Sequence, residues 1–408
     1  MLSQEGSATD SARHLDASVR PTPGNGAVVA AILVSAKLLL LLLPVVLVLE
    51  HALPGRPRAV VIPDASRYQQ LLAREGRPYR DFPVEYPPVL LGAARLLHGS
   101  TIGGTLIRVG FFTFLLDGGI ALLLLTGWGR RPALAYLALG LPLAFFVYFR
   151  LDLLSVFLAA LGLWLVKRRR EGSGGLALAL AVFTKIWPAA FLPLLAARAR
   201  WRAVGVALLS MGAGLVAWVA WGGTQGPIQV LTFRGATGWQ VESLVGSIQW
   251  ATLGAKTRFE AGAIRVGGVS AFAAALMLVA ILALLSLIAV RSSRTSDLPE
   301  GIPALAATVT LLLVAPVLSP QYLSWLLPWA AIATGLRDRP LLLTLGFVTF
   351  ATGVMWWLPL GADGVFKGLL LARNAGLVVI LVMCIVRLTR RAGDGDRTGD
   401  ASDAPVSA

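Results

Sequence analysis

The sequence predicts an all-α protein, a polytopic transmembrane helical bundle of about 11–13 membrane segments whose external loops carry short juxtamembrane helices. Three observations carry that prediction. Hydrophobic residues make up 56% of the 408, and mean hydropathy is +0.74. Charged residues make up only 14%, against ~25% in soluble domains. Apolar runs recur along the chain, many long enough to cross a ~30 Å hydrocarbon core at ~1.5 Å per helical residue.

The first run, Ala27–Leu49, reads as a retained span, because no small-x-small cleavage site follows it. Further runs lie at Thr105–Leu125, Pro132–Phe149, Leu151–Val166, Gly174–Leu195 and Ala203–Trp221. The rest are Val269–Val290, Ile302–Leu318, Tyr322–Leu336, Leu341–Leu360 and Gly368–Leu388. Residues 27–390 therefore form a single membrane domain. Residues 1–26 and 391–408 are polar, small-residue-rich tails expected to be disordered.

The formal net charge of +15 would suggest nucleic acid in a soluble protein. Here the excess lies in short clusters, Arg130–Arg131, Lys167–Arg170, Arg198–Arg202, Arg291–Arg294, Arg337–Arg339 and Arg387–Arg391. The positive-inside rule places these clusters, and both termini, in the cytoplasm of a multi-pass plasma-membrane protein that binds no nucleic acid. The clusters alternate with the spans at all but one place. Gly174–Leu195 has basic residues on both sides and contains Thr184-Lys185-Ile186-Trp187-Pro188. A re-entrant hairpin with Lys185 at its turn resolves the conflict and gives about 12 segments. Arg150 and Asp152 likewise sit at a hairpin tip, since two charges at mid-bilayer are expensive.

The external face then gathers the long loop 51–104, a second loop 222–268, and the tips at Arg150-Leu151-Asp152, Lys185 and Ser319-Pro320-Gln321-Tyr322. Lys37 and Asp117 are the exceptions, buried within spans. One Cys and three unpaired His exclude a disulfide framework and leave no His or Cys metal-ligand spacing. Neither metal nor cofactor is expected.

Each motif has a bland and a functional reading. Asp64, before a helical stretch at 65–75, either caps that helix or stands as a base whose hydration is weakened by adjoining apolar surface. Glu85-Tyr86-Pro87-Pro88 is a structural corner, or Glu85 orients substrate or loop. Arg150 and Asp152 either pair with each other or bind an anionic lipid head together. Lys185 needs an anion or carbonyls beside it. Gln321 and Tyr322 are caps or site residues, and Trp239–Ser243 is a surface amphipathic helix or a sugar-facing wall. Asp117 reads as a hydrogen-bonded or protonated buried group.

One external carboxylate, several cations and aromatics at the bilayer edge suit an inverting sugar transfer from a lipid phosphate. The cations would hold the phosphate and Asp64 the acceptor hydroxyl, whereas a glycosidase usually needs two flanking carboxylates. The alternative is a transporter or flippase for a lipid-linked sugar or small solute, which usually carries charges near the midplane and broken-helix repeats. A third class is a non-catalytic scaffold, in which Asp64 would be dispensable.

The pattern Asp64-x-x-x-Tyr68, Gly76-x-x-Tyr79 and Tyr86-Pro87-Pro88 resembles the first external loop of the membrane glycosyltransferases of superfamily C. It is most similar to family 87, the actinobacterial polyprenyl-phosphate-mannose-dependent α-mannosyltransferases. Lys185-x-x-Pro188 and Ser319-Pro320-Gln321-Tyr322 are similar to later loops of that family. The resemblance implies Asp64 as catalytic base and a polyprenyl-phosphate mannose donor. It also implies a glycolipid or lipoglycan acceptor of the cell envelope. Arg150 and Lys185 are the candidates for the donor phosphate. Arg67, Tyr68, Glu85, Tyr86, Asp152, Gln321 and Tyr322 are the candidates for binding or supporting substrate. No His stands in the second loop for a His-assisted variant of the chemistry.

Overall fold

A computed structural model describes residues 23–49, 55–232, 237–260, 262–294, 301–358 and 363–399. Of the tails expected to be disordered, residues 23–26 are helical in the first helix and 391–399 continue the last one, while 1–22 and 400–408 lie outside the described residues. The helices in chain order are α1 (Pro23–Leu49), α2 (Gly55–Leu72), α3 (Pro88–Leu97), α4 (Ile102–Trp128), α5 (Arg130–Gly140) and α6 (Ala144–Val147). Next come α7 (Asp152–Lys167), α8 (Glu171–Thr184), α9 (Phe191–Ala197), α10 (Trp201–Gly222), α11 (Gln225–Leu231) and α12 (Leu244–Ala251). The last five are α13 (Ala271–Ser293), α14 (Gly301–Val314), α15 (Leu327–Thr334), α16 (Arg339–Met355) and α17 (Asp363–Gly399). Six of the helical segments are long and apolar enough to cross a membrane. The protein is thus the multi-pass helical bundle that its composition predicts. The outer faces of α1, α10 and α13 expose Leu39, Leu209 and Phe272, a surface that lipid tails can cover and water would not.

The basic clusters meet at one end of the bundle. Arg168 donates to the Thr126 carbonyl (2.8 Å) at the end of α4. Arg200, just before α10, pairs with Glu171 at the start of α8 (3.1 Å). Arg198 donates to Ser292 at the end of α13 (3.1 Å). The Arg200–Glu171 pair has a topological consequence. The segment from Glu171 to Ala197 begins and ends at the same end, so α8 and α9 form a hairpin with Lys185 at its turn. The helix breaks there because Pro188, in a 3₁₀ turn at Trp187–Ala190, lacks an N–H and cannot continue α8. A second hairpin, α14–α15, has the same build. Gly301 at the start of α14 abuts the backbone of Trp329 and Ala333, and the opposite turn is a 3₁₀ helix at Pro320–Trp325. Trp187 and Trp325 stack across the two turns, nearly parallel (9°) at 5.2 Å.

Close helix contact in this bundle uses small residues, as lipid-embedded packing requires. A Cβ on Gly174 of α8 would lie 2.8 Å from the Gly162 carbonyl of α7. Apart from the helices, the described residues contain one small antiparallel sheet in the order β1-β3-β2. Its strands are β1 (Trp239–Gln240), β2 (Thr257–Glu260) and β3 (Ala263–Val266). The sheet replaces the surface helix entertained for Trp239–Ser243. Val266 and Trp239 pack inward on it, and the Gln240 amide is held by the Pro316 carbonyl (2.9 Å) near the second hairpin turn.

Lys37 and Asp117, the two charges read as exceptions, find each other. The Lys37 ammonium lies 2.8 and 3.1 Å from the two Asp117 oxygens. The hydroxyls of Tyr136 and Tyr148 donate to the same carboxylate at 2.6 and 2.9 Å. The cluster joins α1, α4, α5 and the turn after α6 with every carboxylate oxygen satisfied. Breaking a buried pair from one side leaves an uncompensated charge and costs ~3–5 kcal/mol. Asp117→Ala should therefore lower the melting temperature in detergent sharply, and adding Lys37→Met should restore part of the loss. An Asp117→Ala protein that melts with the parent would show that the cluster does not hold these helices.

Candidate active site

At the end opposite the basic clusters, α2 lies over the start of α4 and the turn between α6 and α7. Asp64, Arg67, Tyr68 and Leu71 fall at helical spacing on one face of α2. Tyr68 and Leu71 bury that face. Helix α2 begins at Gly55, so Asp64 sits within it and caps nothing. That removes the bland reading of this carboxylate.

The Asp64 carboxylate pairs with Arg150 at 3.1 Å, and its side chain stays 22% exposed, enough for a substrate hydroxyl to reach it. Asp152 pairs with Lys185 at 3.2 Å. Arg150 and Asp152 thus do not take each other as partners. The chain turns at Leu151, whose amide is held by the Tyr68 hydroxyl (3.4 Å), and this aims Arg150 at α2 and Asp152 at the α8–α9 turn. Lys185 lies over the rings of Tyr322 (4.9 Å) and Trp325 (5.9 Å), which stack on each other at 4.2 Å. The expected need of Lys185 for a counter-charge is met by a carboxylate and two π faces. Gln321 and Tyr322 are buried within the 3₁₀ turn and are not caps at a helix boundary.

Burial pushes the Asp64 carboxyl above its ordinary range. Arg150 beside it pulls the other way, and Asp152 adds a smaller upward push. The result is a carboxylate more basic than one in water, yet held in place by a cation.

The first loop is rigid for local reasons. Arg67 forms a two-bonded pair with Glu85 (2.8 Å each), so Glu85 anchors the loop to α2. Gly76 and Tyr79 both take positive φ (98° and 71°), which explains a Gly at the first position. The Tyr79 hydroxyl donates to the Tyr86 carbonyl (2.6 Å), and its ring lies edge-on to Trp218 and Trp221 of α10. Tyr86 packs its ring on Tyr68 at 5.7 Å. Pro88 then opens α3 at its first position, where a missing N–H costs nothing. Beside this loop an apolar groove of about 310 Å³ runs between α8 and α10, lined by Pro88, Leu180, Phe183, Gly214, Trp218 and Trp221.

Two polar residues of this end were not singled out by sequence reasoning. Arg373 and Asn374 of α17 are fully buried and grip the second loop. Arg373 donates to the Glu242 carbonyl, and the Asn374 amide donates to Ser247 (2.8 Å). The available signal was an arginine inside the apolar run Gly368–Leu388, since an ionisable group in a span demands an interior partner.

Paired carboxylates and cations, walled by aromatic rings at one end of a spanning bundle, define a membrane protein with an enzyme-like polar site. The chain matches the profile of glycosyltransferase family 87 over residues 84–320, more than half its length, and belongs to that family. It is a membrane glycosyltransferase. The matched region holds Glu85, Tyr86, Arg150, Asp152 and Lys185. Asp64, Arg67, Tyr68, Gln321 and Tyr322 flank it. No curated protein is similar enough to count as a match.

Glu242 gives the site a measurable pH signature. Desolvation raises its pKa to about 7, with Arg373 and then Arg150 opposing the rise. Below about pH 4.5 it is neutral folded or unfolded and costs nothing. Between pH 4.5 and about 7 the unfolded chain gives up this proton while the folded state keeps it, so stability falls across that window and levels off above it. The loss is on the order of 3 kcal/mol once pH is well above 7. Glu242→Gln should therefore melt higher than the parent at pH 8, with the gap closing toward pH 4.5. A gap independent of pH would contradict this account.

Proposed function

We propose that the protein transfers a hexose, mannose by family resemblance, from a polyprenyl-phosphate donor to a glycolipid or lipoglycan acceptor. The transfer takes place at the extracytoplasmic face of the plasma membrane, with inversion at the anomeric carbon. The observation that carries this reading is the Asp64–Arg150 pair, set beside Lys185–Asp152 at the end away from the basic clusters. The positive-inside rule assigns that end to the outside.

In this mechanism the acceptor hydroxyl approaches Asp64, and its oxygen attacks the anomeric carbon of the donor sugar. The bond from that carbon to the phosphate oxygen breaks, and polyprenyl phosphate leaves with the electron pair. The hydroxyl proton passes to Asp64. Protonation removes one of the charges that face Arg150, so the guanidinium interacts more strongly with the leaving phosphate at the moment its charge develops. Lys185 supplies the second cation. Before reaction the four groups sum to no net charge, so this mechanism draws its transition-state stabilisation from the proton transfer itself. The apolar groove along α8 ends two residues before Lys185 and suits a polyprenyl tail. Arg67, Tyr68, Glu85 and Tyr86 hold the base in position, while Gln321 and Tyr322 wall the opposite side. Family membership and charges gathered at one end weigh against the transporter reading.

Asp64→Asn should reduce transfer by about a hundredfold to ten-thousandfold in membranes supplied with labelled polyprenyl-phosphate mannose and a lipid acceptor extract, while the protein still folds. Full activity in this variant would refute Asp64 as the base. Arg150→Ala removes the cation that lowers the Asp64 pKa. The acidic limb of the pH–rate profile should move to higher pH and the donor KM should rise, and an unmoved limb would break the proposed coupling.

A further inference from the structure

The mechanism leaves one group of buried polar atoms unused. Glu242 is 4% exposed, and its Oε1 has no hydrogen-bond partner. Its Oε2 accepts from the Gln240 side-chain amide at 3.1 Å. That amide also donates to Ser319 (3.2 Å), while the Gln240 Oε1 is unpartnered. Two residues beyond Ser319, Gln321 is buried with an unpartnered Oε1. Arg373 is fully buried, and its Nη1 is unpartnered although the rest of its guanidinium is held by Asn374 and the Glu242 carbonyl.

Four buried side chains from three elements thus each carry one unmet hydrogen-bonding atom, three acceptors and one donor. Burying such atoms without partners costs roughly 1–3 kcal/mol each, so a fold keeps them for something that arrives later. The backbone holds them stiffly. Ser243 donates to the Gln240 carbonyl (2.7 Å) and caps α12 through the Gly246 amide (3.1 Å). Gly246 lies so close to the Gln240 carbonyl that any Cβ would collide with it. The group also adjoins the reacting centre. The charged side chains that face Glu242 are Arg373, from α17, and Arg150, the partner of Asp64.

We infer that Glu242, Gln240, Gln321 and Arg373 form a subsite that hydrogen-bonds the hydroxyls of the donor hexose. This rests on the functional reading above, in which the donor phosphate lies at Arg150 and its sugar begins one bond away. The chemistry fits the class. Sugar hydroxyls donate to carboxylate and amide oxygens and accept from a guanidinium N–H, which matches three acceptors and one donor. A site built to bond a hydroxyl rejects the analogue that lacks it, because its own polar atoms are then left unpaired.

The test uses the full chain in lipid nanodiscs with citronellyl-phosphate mannose, glucose and galactose as donors and a lipid acceptor extract. The monodeoxy forms of whichever hexose is transferred follow. In the parent protein, loss of one particular hydroxyl should lower kcat/KM by about 10- to 100-fold, the worth of a hydrogen bond to a charged group. In Glu242→Gln that same deoxy donor should be used within about threefold of the intact donor, the signature of a direct contact. Gln240→Ala, which keeps the carboxylate, is the second variant should Glu242→Gln fail to fold, and it should reduce the same discrimination. Undiminished discrimination in the folded variants would overturn the subsite. So would a change seen only with deoxy acceptors, since it would place the contact on the acceptor. Transfer of no hexose by the parent would refute the functional reading itself, and the subsite with it.

Discussion

A charge in an apolar interior must have a partner, and this requirement organises the molecule. Lys37 takes Asp117, Arg150 takes Asp64, Lys185 takes Asp152, Arg67 takes Glu85, and Arg387 takes Asp338. All but Arg67–Glu85, which ties the first loop to itself, join separate helices or turns, so the pairings also set the packing. Lys37–Asp117 fastens α1 to α4, and two tyrosine hydroxyls bring in the segment from α5 to Tyr148. At the opposite extreme of the bundle from the basic clusters, two pairs share the space between α2 and the hairpin turns. There the same rule that stabilises the fold produces a poised carboxylate.

The two helical hairpins are what make that space. Each returns to the end where it began, so each presents a proline-broken 3₁₀ turn in place of a continuous helix. A turn of that kind frees side chains to point along the bundle axis. Lys185 comes from the first and Gln321 and Tyr322 from the second, and the Trp187–Trp325 stack keeps the two in register. The first loop then closes over them, held by Tyr79 against α10 and by Arg67–Glu85 against itself. Rigidity matters for the proposed chemistry, because a base and two cations act together only if their separation is fixed before substrate binds.

Asp64 and Glu242 are two carboxylates at one end of the bundle in different environments. Both are pushed up by desolvation. Asp64 has a cation against its side chain and remains partly open. Glu242 is enclosed, and Arg373 bonds its backbone carbonyl. In the proposed mechanism the first takes a proton from a hydroxyl that reaches it, and in the proposed subsite the second holds a hydroxyl once water has been excluded.

Composition and charge alone determined that the chain is a helical bundle in a membrane. They also determined that its short basic clusters gather apart from its polar tips, and that the conflict at Gly174–Leu195 required a turn at Lys185. These follow from sums over many residues, and such sums are robust to local detail. The Asp64, Tyr68, Gly76 and Tyr79 spacing was legible only as a family resemblance, and the structure gave it a physical reason, one helix face and a turn with positive φ. Which ion pairs with which was decided only by the tertiary structure. Arg150 and Asp152 are two residues apart and looked like partners, yet the turn at Leu151 aims them in different directions. A cap was one reading of Asp64 because the turns of α2 that precede it have a weak sequence signal. Arg373 reaches Glu242 across 131 positions, and no local pattern encodes that meeting. Pair energies depend on distance and on exclusion of water, and both are settled by packing between segments far apart in the chain.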